Sequence, residues 1–211
     1  MTIQISNKVK QKHLLPRTRY IAFVAASVDG RISLTKKTPP DWTSKEDWRF
    51  FQNSLARTEA VIVGRNTYQA AAARLRKRNT FVLSRRLQGV RRRGTVTFVN
   101  PAYVNLAEFL RQYKTVAVLG GGMVYSTMLK SGLLDEIFVT LEPFIFGRGK
   151  EMFSAGTRTT RLHLLSARQL NRAGTLLLHY RINPVRSQIR QSQISRRLWR
   201  LTSNGVNHQP T

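Results

Sequence analysis

Three consecutive glycines, Gly120, Gly121 and Gly122, separate the apolar run Thr115 to Leu119 from a helical pattern that begins at Met123. Glycine lets a backbone approach a bulky anion through dihedral angles closed to other residues, and the free N–H groups of a helix start then face that anion. The arrangement reads as a phosphate seat, although it is not the six-position glycine fingerprint of dinucleotide folds. A second segment of the same kind lies upstream, where Val61-Ile62-Val63 runs into Gly64-Arg65-Asn66-Thr67-Tyr68. Further chemistry is suggested by Glu46 and Asp47, which open an amphipathic segment just after Trp42. Such acids in a first helical turn either complement the helix dipole or serve as proton donors. With no cysteine and no metal-ligand spacing among His13, His163, His179 and His208, thiolate and metal chemistry are not expected.

The elements that must hold these residues alternate short β-branched runs with amphipathic helical segments, the mark of an α/β sheet. Strands are expected over Tyr20 to Ala26, Ala60 to Val63, Thr80 to Leu83, Thr95 to Val99, Thr115 to Leu119, Glu136 to Leu141, Arg161 to Gln169 and Thr175 to Ile182. Helices are expected over Ser44 to Arg57, Thr67 to Leu75, Leu106 to Tyr113, and Met123 to Ser131 with Gly132 as terminator. Thr43 with Glu46 forms a capping-box pattern, and Trp48, Phe51 and Leu55 recur at helical spacing. The last two strands have only Asn171 to Gly174 between them, so an antiparallel hairpin should close an otherwise mostly parallel sheet.

Charge is the second anomaly: the chain of 211 residues carries 36 Lys and Arg against 10 Asp and Glu, a formal net charge of +26. The sequence divides into a basic N-terminal tail, residues 1–18, one domain over 19–182 and a basic C-terminal tail, 183–211. The tails hold no acid and carry +9, which leaves +17 on the body, densest from Arg74 to Arg93. A polyanionic partner such as RNA is one expectation, and a solvated basic surface is the other. Arg186 to Leu201 interleaves arginines with Ile189, Ile194, Leu198 and Trp199, a pattern compatible with a helix lying on nucleic acid, anionic lipid or a partner, or with a loosely ordered tail. No apolar stretch reaches the roughly 20 residues needed to span a bilayer, and the N-terminus lacks the apolar region of a secretory signal. A soluble, cytoplasmic protein is the expectation.

Several segments in order resemble the dihydrofolate reductase-like superfamily, which includes the dihydrofolate reductases and the reductase domain of riboflavin biosynthesis. They are Ala25-Ala26-Ser27-Val28-Asp29-Gly30-Arg31-Ile32, Asp41-Trp42-Thr43-Ser44-Lys45-Glu46-Asp47, Val63 to Tyr68, Phe81-Val82-Leu83-Ser84-Arg85, and the glycine run with Tyr125. Gly132-Leu133-Leu134-Asp135-Glu136, followed by Pro143 and Gly147-Arg148-Gly149, looks like the riboflavin branch. The likeness covers about Arg19 to Ile182 and implies a three-layer α/β fold with a mixed, mostly parallel sheet.

That resemblance implies an NADPH-dependent reductase. Gly120, Gly121, Gly122, Val124 and Tyr125 would hold the pyrophosphate from one side and Gly64, Arg65, Asn66 and Thr67 from the other, while Ser84, Arg85 and Arg86 would meet the adenosine 2′-phosphate. Ala26, with Ala22 or Ala25, would line the nicotinamide pocket, and Ser27 to Pro40 would form a loop closing over it. Asp47 stands where dihydrofolate reductases keep their substrate carboxylate, with Trp42 and Phe51 as aromatic walls and Glu46 as a rival acid. Riboflavin-branch reductases commonly place a glutamate just before their glycines, whereas this chain has Leu119. The substrate expected is therefore a pterin or related aminopyrimidine, the alternative a diaminopyrimidine ribosyl phosphate of riboflavin synthesis. The third possibility is a reductase-fold scaffold that binds RNA. Riboflavin-branch relatives also suggest a homodimer, and the apolar strands near Ile137 to Phe146 would serve as its interface or equally as core.

Overall fold

The computed structural model describes residues 17–34 and 42–182. In chain order the elements are β1 (Arg19–Ser27), β2 (Arg31–Ser33), α1 (Lys45–Ala56), β3 (Ala60–Gly64), α2 (Arg65–Leu75), β4 (Asn79–Leu83), β5 (Val90–Arg93), β6 (Val96–Val99), α3 (Leu106–Phe109), β7 (Thr115–Val118), α4 (Gly122–Lys130), β8 (Glu136–Glu142), β9 (Lys150–Glu151), β10 (Leu162–Gln169) and β11 (Leu176–Ile182). Nine strands form one sheet in the order β10-β11-β8-β1-β7-β3-β4-β6-β5, and β2 pairs with β9 in a small second sheet. The pairs from β8 through β6 are parallel, while β5 at one margin and the β10–β11 hairpin at the other run antiparallel.

The central strands are apolar on both faces, as a covered parallel sheet requires. On one face Ile21, Phe23, Val61, Val63 and Val82 pack with Leu55 of α1 and Leu75 of α2. On the other, Tyr20, Ala22, Ile62, Val116 and Val118 pack with Leu110 and with Val124, Tyr125 and Met128 of α4. The sheet is thus the middle of three layers, with α1 and α2 on one side and α4 on the other. At the N-terminal end of β1 and β8, Arg19 grips Glu136 through Nε at 3.0 Å and Nη2 at 2.6 Å, and the same carboxylate meets His179 at 2.7 Å. Burial opposes ionisation of Glu136, but its contacts with Arg19 and His179 hold its carboxyl below the usual range.

Three local expectations change. The cap of α1 is Ser44, not Thr43: Ser44 Oγ accepts from Asp47 N at 3.2 Å, and Glu46 instead accepts from Asn171 Nδ2 at 3.2 Å. The helix expected to reach Tyr113 ends at Phe109, because the chain must turn and extend by Lys114, whose carbonyl accepts from Arg19 N. Between Leu83 and Val96 lies an additional edge strand, β5, which pairs with β6 although every one of its residues is exposed. Residues 1–16 and 183–211, nearly all of the two basic tails, and residues 35–41, which include the last six of the fourteen residues of the expected closing loop, lie outside the described residues.

Replacing Ser44 with Ala should remove the side-chain acceptor of Asp47 N at the start of α1. The expected loss is about 1 kcal/mol, the usual cost of deleting such a cap, read in urea unfolding as a lower midpoint with an unchanged slope.

Candidate active site

Strand polarity decides where the chemistry can sit. Because β1, β3, β4, β6, β7 and β8 point the same way, Ala26, Gly64, Ser84, the glycine run and Glu142 all emerge at one edge of the sheet. Adjacent strands β3 and β7 send their following helices, α2 and α4, to opposite faces. A crevice opens where neighbouring connections diverge in this way, at the carboxyl ends of the strands.

Glycines hold that crevice closed at its base. Gly64 N donates to Gly120 O at 2.7 Å, and Leu119 N donates to Ile62 O at 2.9 Å. A Cβ on Gly64 would approach Val124 Cγ2 to 3.2 Å, and one on Gly120, whose φ is +87°, would meet the Tyr125 ring at 2.8 Å. Only glycine fits both demands at Gly120. Tyr125 lies beneath the run, 2 % exposed, and donates from its hydroxyl to Phe23 O at 2.6 Å, while Val124 is equally buried.

The two helix starts facing the crevice differ from the rest. Ser44 and Asn105 cap α1 and α3 through their side chains, whereas α2 and α4 begin after Gly64 and Gly121 with no side-chain cap and no acid in the first turn. Their first N–H groups have no local side-chain acceptor, and an anion satisfies them and the helix dipole together. Arg65 Nη2 donates to Ser84 Oγ at 2.8 Å, joining the starts of α2 and of the segment after β4, and Arg85 and Arg86 project exposed beside them. Asn66 is exposed and Thr67 half-buried on the first turn of α2. This half of the crevice therefore gathers the expected phosphate-contacting groups into one neighbourhood.

The other half lies across β1, on the α1 face. Asp47 is 8 % exposed, with its carboxylate hydrogen-bonded by the side chains of Thr140 and Thr43. Burial raises its pKa, the two threonines pull it down, and the nearby charge of Glu142 raises it further; the net direction is up. Glu142, 2 % exposed, was not singled out from the sequence. Its Oε1 accepts from Ser44 N at 2.7 Å and its Oε2 from Thr175 Oγ1 at 2.7 Å, so it ties the start of α1 to the β10–β11 hairpin. No spacing in the sequence signals this, because the three segments meet only through sheet order.

Trp42 packs edge-on against Phe146, with ring centroids 4.9 Å apart, and its buried indole N–H has no hydrogen-bond partner among the described residues. Phe51 sits deeper, edge-on to Phe23 of β1 at 6.3 Å, so it supports the wall from the core side. Ala26 is buried opposite Leu141, and Ala25 is opposite Thr140. Those alanines lie between the carboxylate half and the glycine half. The first part of the expected closing loop is anchored: Asp29 accepts from Phe146 N at 3.0 Å and Gly147 N at 2.8 Å, and its carboxyl is held down at about 2 by those donors and by Ser27. Ile32 Cδ1 would lie 3.9 Å from a Cβ on Gly121, which sets this segment beside the glycine run.

The model of the RibD C-terminal domain matches residues 19–175, and the chain belongs to that family. It is 24 % identical over 170 residues to the uncharacterized protein YwjB of Bacillus subtilis, covering 76 % of this chain and 95 % of the other. Among solved structures, a putative riboflavin biosynthesis protein from Shewanella superposes with a TM-score of 0.61 at 19 % identity, over 79 % of this chain and 99 % of the other. RibD of Acinetobacter baumannii gives 0.65 at 21 % identity, over 79 % of this chain but 58 % of its own. A pyrimidine reductase-like protein from Corynebacterium diphtheriae gives 0.62 at 16 % identity, over 79 % and 92 %. These likenesses share the fold, that of the dihydrofolate reductase-like superfamily. The chain spans little more than half the length of the Acinetobacter protein.

Because Asp47 has a raised pKa in the folded chain, the unfolded chain loses this proton first as pH rises. Stability is undiminished below the ordinary aspartate value near 3.8 and falls through the window between it and the raised value. Asp47→Asn should therefore unfold at a higher urea concentration than the parent at neutral pH. The advantage should vanish when both are unfolded below the ordinary aspartate range; a constant difference at all pH values would remove this account.

Proposed function

We propose that this member of the RibD C-terminal domain family is an NADPH-dependent reductase of a ribosylamino-pyrimidine, acting in the manner expected of the riboflavin branch. The pterin substrate favoured by Leu119 is the weaker reading. A family model covering residues 19–175 and fold relatives described as riboflavin biosynthesis and pyrimidine reductase-like proteins support the pyrimidine instead. The observation that carries the reductase reading is the pair of uncapped helix starts, α2 and α4, held together by the Gly64–Gly120 hydrogen bond.

That cradle fits a dinucleotide pyrophosphate. Backbone N–H groups from both helix starts can share its charge, glycine at 64 and 120 lets those starts approach without pressing side chains on Val124 and Tyr125, and Arg65 stands at the mouth. Arg85 and Arg86, exposed after β4, suit a 2′-phosphate, for which a guanidinium fork is the matching group. NADPH, when bound, supplies a hydride. Ala25 and Ala26 would offer a flat backbone wall between the two halves. Asp47 would bind the polar edge of the pyrimidine and hold the proton required beside the reduced carbon, with its raised pKa favouring the protonated form further toward neutral pH. Trp42 would offer its unpaired indole N–H to the same ring.

A homodimer belongs to the same proposal. The edge strand β10 exposes Leu162, Leu164 and Leu165, and the β11 start exposes Leu176, an apolar margin larger than scattered surface leucines.

NADPH should quench tryptophan fluorescence at lower concentration than NADH. Arg85→Ala with Arg86→Ala should weaken NADPH about tenfold or more, the usual worth of a charge-assisted hydrogen bond or two, and leave NADH unchanged. Asp47→Asn should lower kcat by about 10² to 10⁴-fold, the range of a general acid, with NADPH affinity intact. Oxidation of NADPH with a ribosylamino-pyrimidine phosphate but not with dihydrofolate is expected; the reverse preference would restore the pterin reading, and failure to bind either nucleotide would sink the enzyme. Light scattering should give twice the chain mass for the parent and the monomer mass for Leu164→Asp.

A further inference from the structure

Between Glu59 and Glu108 the chain has ten lysines and arginines and not one acid. Folding keeps this imbalance together, because the segment builds β3, α2, β4, β5 and β6, one lateral half of the domain. None of these ten cations forms an ion pair within 4.0 Å among the described residues; the recorded pairs use Arg17, Arg19, Arg31, Arg111 and His179.

The most concentrated part is the outer margin. Strand β5 is Val90-Arg91-Arg92-Arg93, paired on one side to β6 and exposed throughout. In an extended strand Arg91 and Arg93 project to one face, about 7 Å apart at a rise of roughly 3.4 Å per residue, and Arg92 to the other. The turn that follows is fastened to the end of α2: Thr95 Oγ1 donates to Arg76 O at 2.6 Å, and Thr80 N donates to Thr95 O at 3.0 Å. Arg74, Arg76 and Lys77, all exposed, therefore continue the line of charge. At its far end Arg74 lies 4.9 Å from the ring centre of Trp48, which is 37 % exposed.

We propose that this margin, the β5 edge with the last turn of α2, binds the phosphate backbone of a nucleic acid without reading its sequence. A row of guanidinium groups with an exposed indole at one end is the combination that tracks a single strand and stacks its bases. Edge strands commonly carry charge to prevent edge-to-edge pairing, but that needs one side chain on the strand and gives no reason for the continuation onto α2. A protein partner would want an apolar anchor at the centre of its footprint, and within β5 only Val90 offers one. The site is separate from the groups assigned to the cofactor, Arg65, Arg85 and Arg86, so either proposal can fail alone.

The test uses the full chain and labelled single-stranded RNA and DNA of one sequence, about 20 nucleotides long so as to exceed typical single-strand site sizes of roughly 4–16. Anisotropy is followed from about 50 to 200 mM salt. Both oligomers should bind, with affinity falling steeply as salt rises. The variant R91Q/R92Q/R93Q should bind at least tenfold more weakly and flatten the log–log salt slope by about 2, the value for three phosphate contacts on a single strand. A second variant, R74Q/R76Q/K77Q, should weaken binding in the same direction, and keeps the test valid if the β5 variant does not fold. The comparator R196Q/R197Q/R200Q removes the same charge from the C-terminal tail and should cost less than either. Equal losses in all three would mean that net charge alone is responsible and would overturn the proposal. So would binding that ignores salt, or polyglutamate binding as tight as RNA. NADPH affinity should be unchanged in the β5 variant.

Discussion

One backbone hydrogen bond, Gly64 N to Gly120 O at 2.7 Å, sets the geometry on which the candidate site depends. It closes the distance between two strands whose following helices leave on opposite faces, and so brings two helix N-termini to one crevice. The approach is possible only because the nearest positions lack side chains: Cβ atoms at Gly64 and Gly120 would press on Val124 and Tyr125. Tyr125 then fixes the arrangement to the centre of the sheet through Phe23 O. Burial has also shifted its hydroxyl pKa upward, so the group remains a neutral donor at any physiological pH. A residue expected among the cofactor contacts thus also supports the glycine run from below.

Acids are scarce, and several of them have a visible role. Asp135 receives the N–H of Tyr20 at 2.9 Å, Glu136 holds Arg19 and His179, Glu59 receives the N–H of Lys114 at 2.6 Å, and Asp29 fastens the segment after β1 to Phe146 and Gly147. These are joints between elements distant in sequence. In this arginine-rich chain these carboxylates are placed where they give a backbone N–H or a basic side chain a partner from another element. Residues between Glu59 and Glu108 have no carboxylate joint of their own, and apart from Arg65 and Arg78, which are half-buried and hydrogen-bonded to Ser84 and Leu55, their cations are exposed. The same economy therefore accounts for a neutralised centre and an unneutralised margin.

The parallel strands were legible because β-branched runs ending at glycine or a hydroxyl residue have few other uses, and the order of Gly64, Ser84 and Gly120 followed from them. Strand β5 was not legible: three arginines show no apolar alternation, and the segment is a strand only because β6 offers it a partner. Strands β2 and β9 are equally silent, since they are short and their pairing joins Arg31 to Glu151 across the chain. The cap of α1 was displaced by one residue because Thr43 and Ser44 are both competent, and the choice is made by Glu142, which draws in Ser44 N. Asp47 could be found because Asp41 to Asp47 resembles the corresponding segment of the dihydrofolate reductase-like superfamily. The groups that tune it, Thr140 and Glu142, lie in β8 and were hidden until sheet order placed β8 beside β1.

Glu142 shows how far the tuning reaches. Its carboxylate raises the proton affinity of Asp47 while both of its own oxygens are engaged, one by the start of α1 and the other by Thr175 beside the hairpin. Asn171, in the same hairpin turn, donates to Thr175 Oγ1 at 3.0 Å and to Glu46 at 3.2 Å. A displacement of the β10–β11 hairpin would therefore pull on the start of α1 at two points, one turn or less from Asp47. Thr175 and Asn171 thus link the hairpin through hydrogen bonds to the start of the helix that carries Asp47. Control of Asp47 in this chain is accordingly a property of how the hairpin is seated on the sheet as well as of the residues that touch the acid.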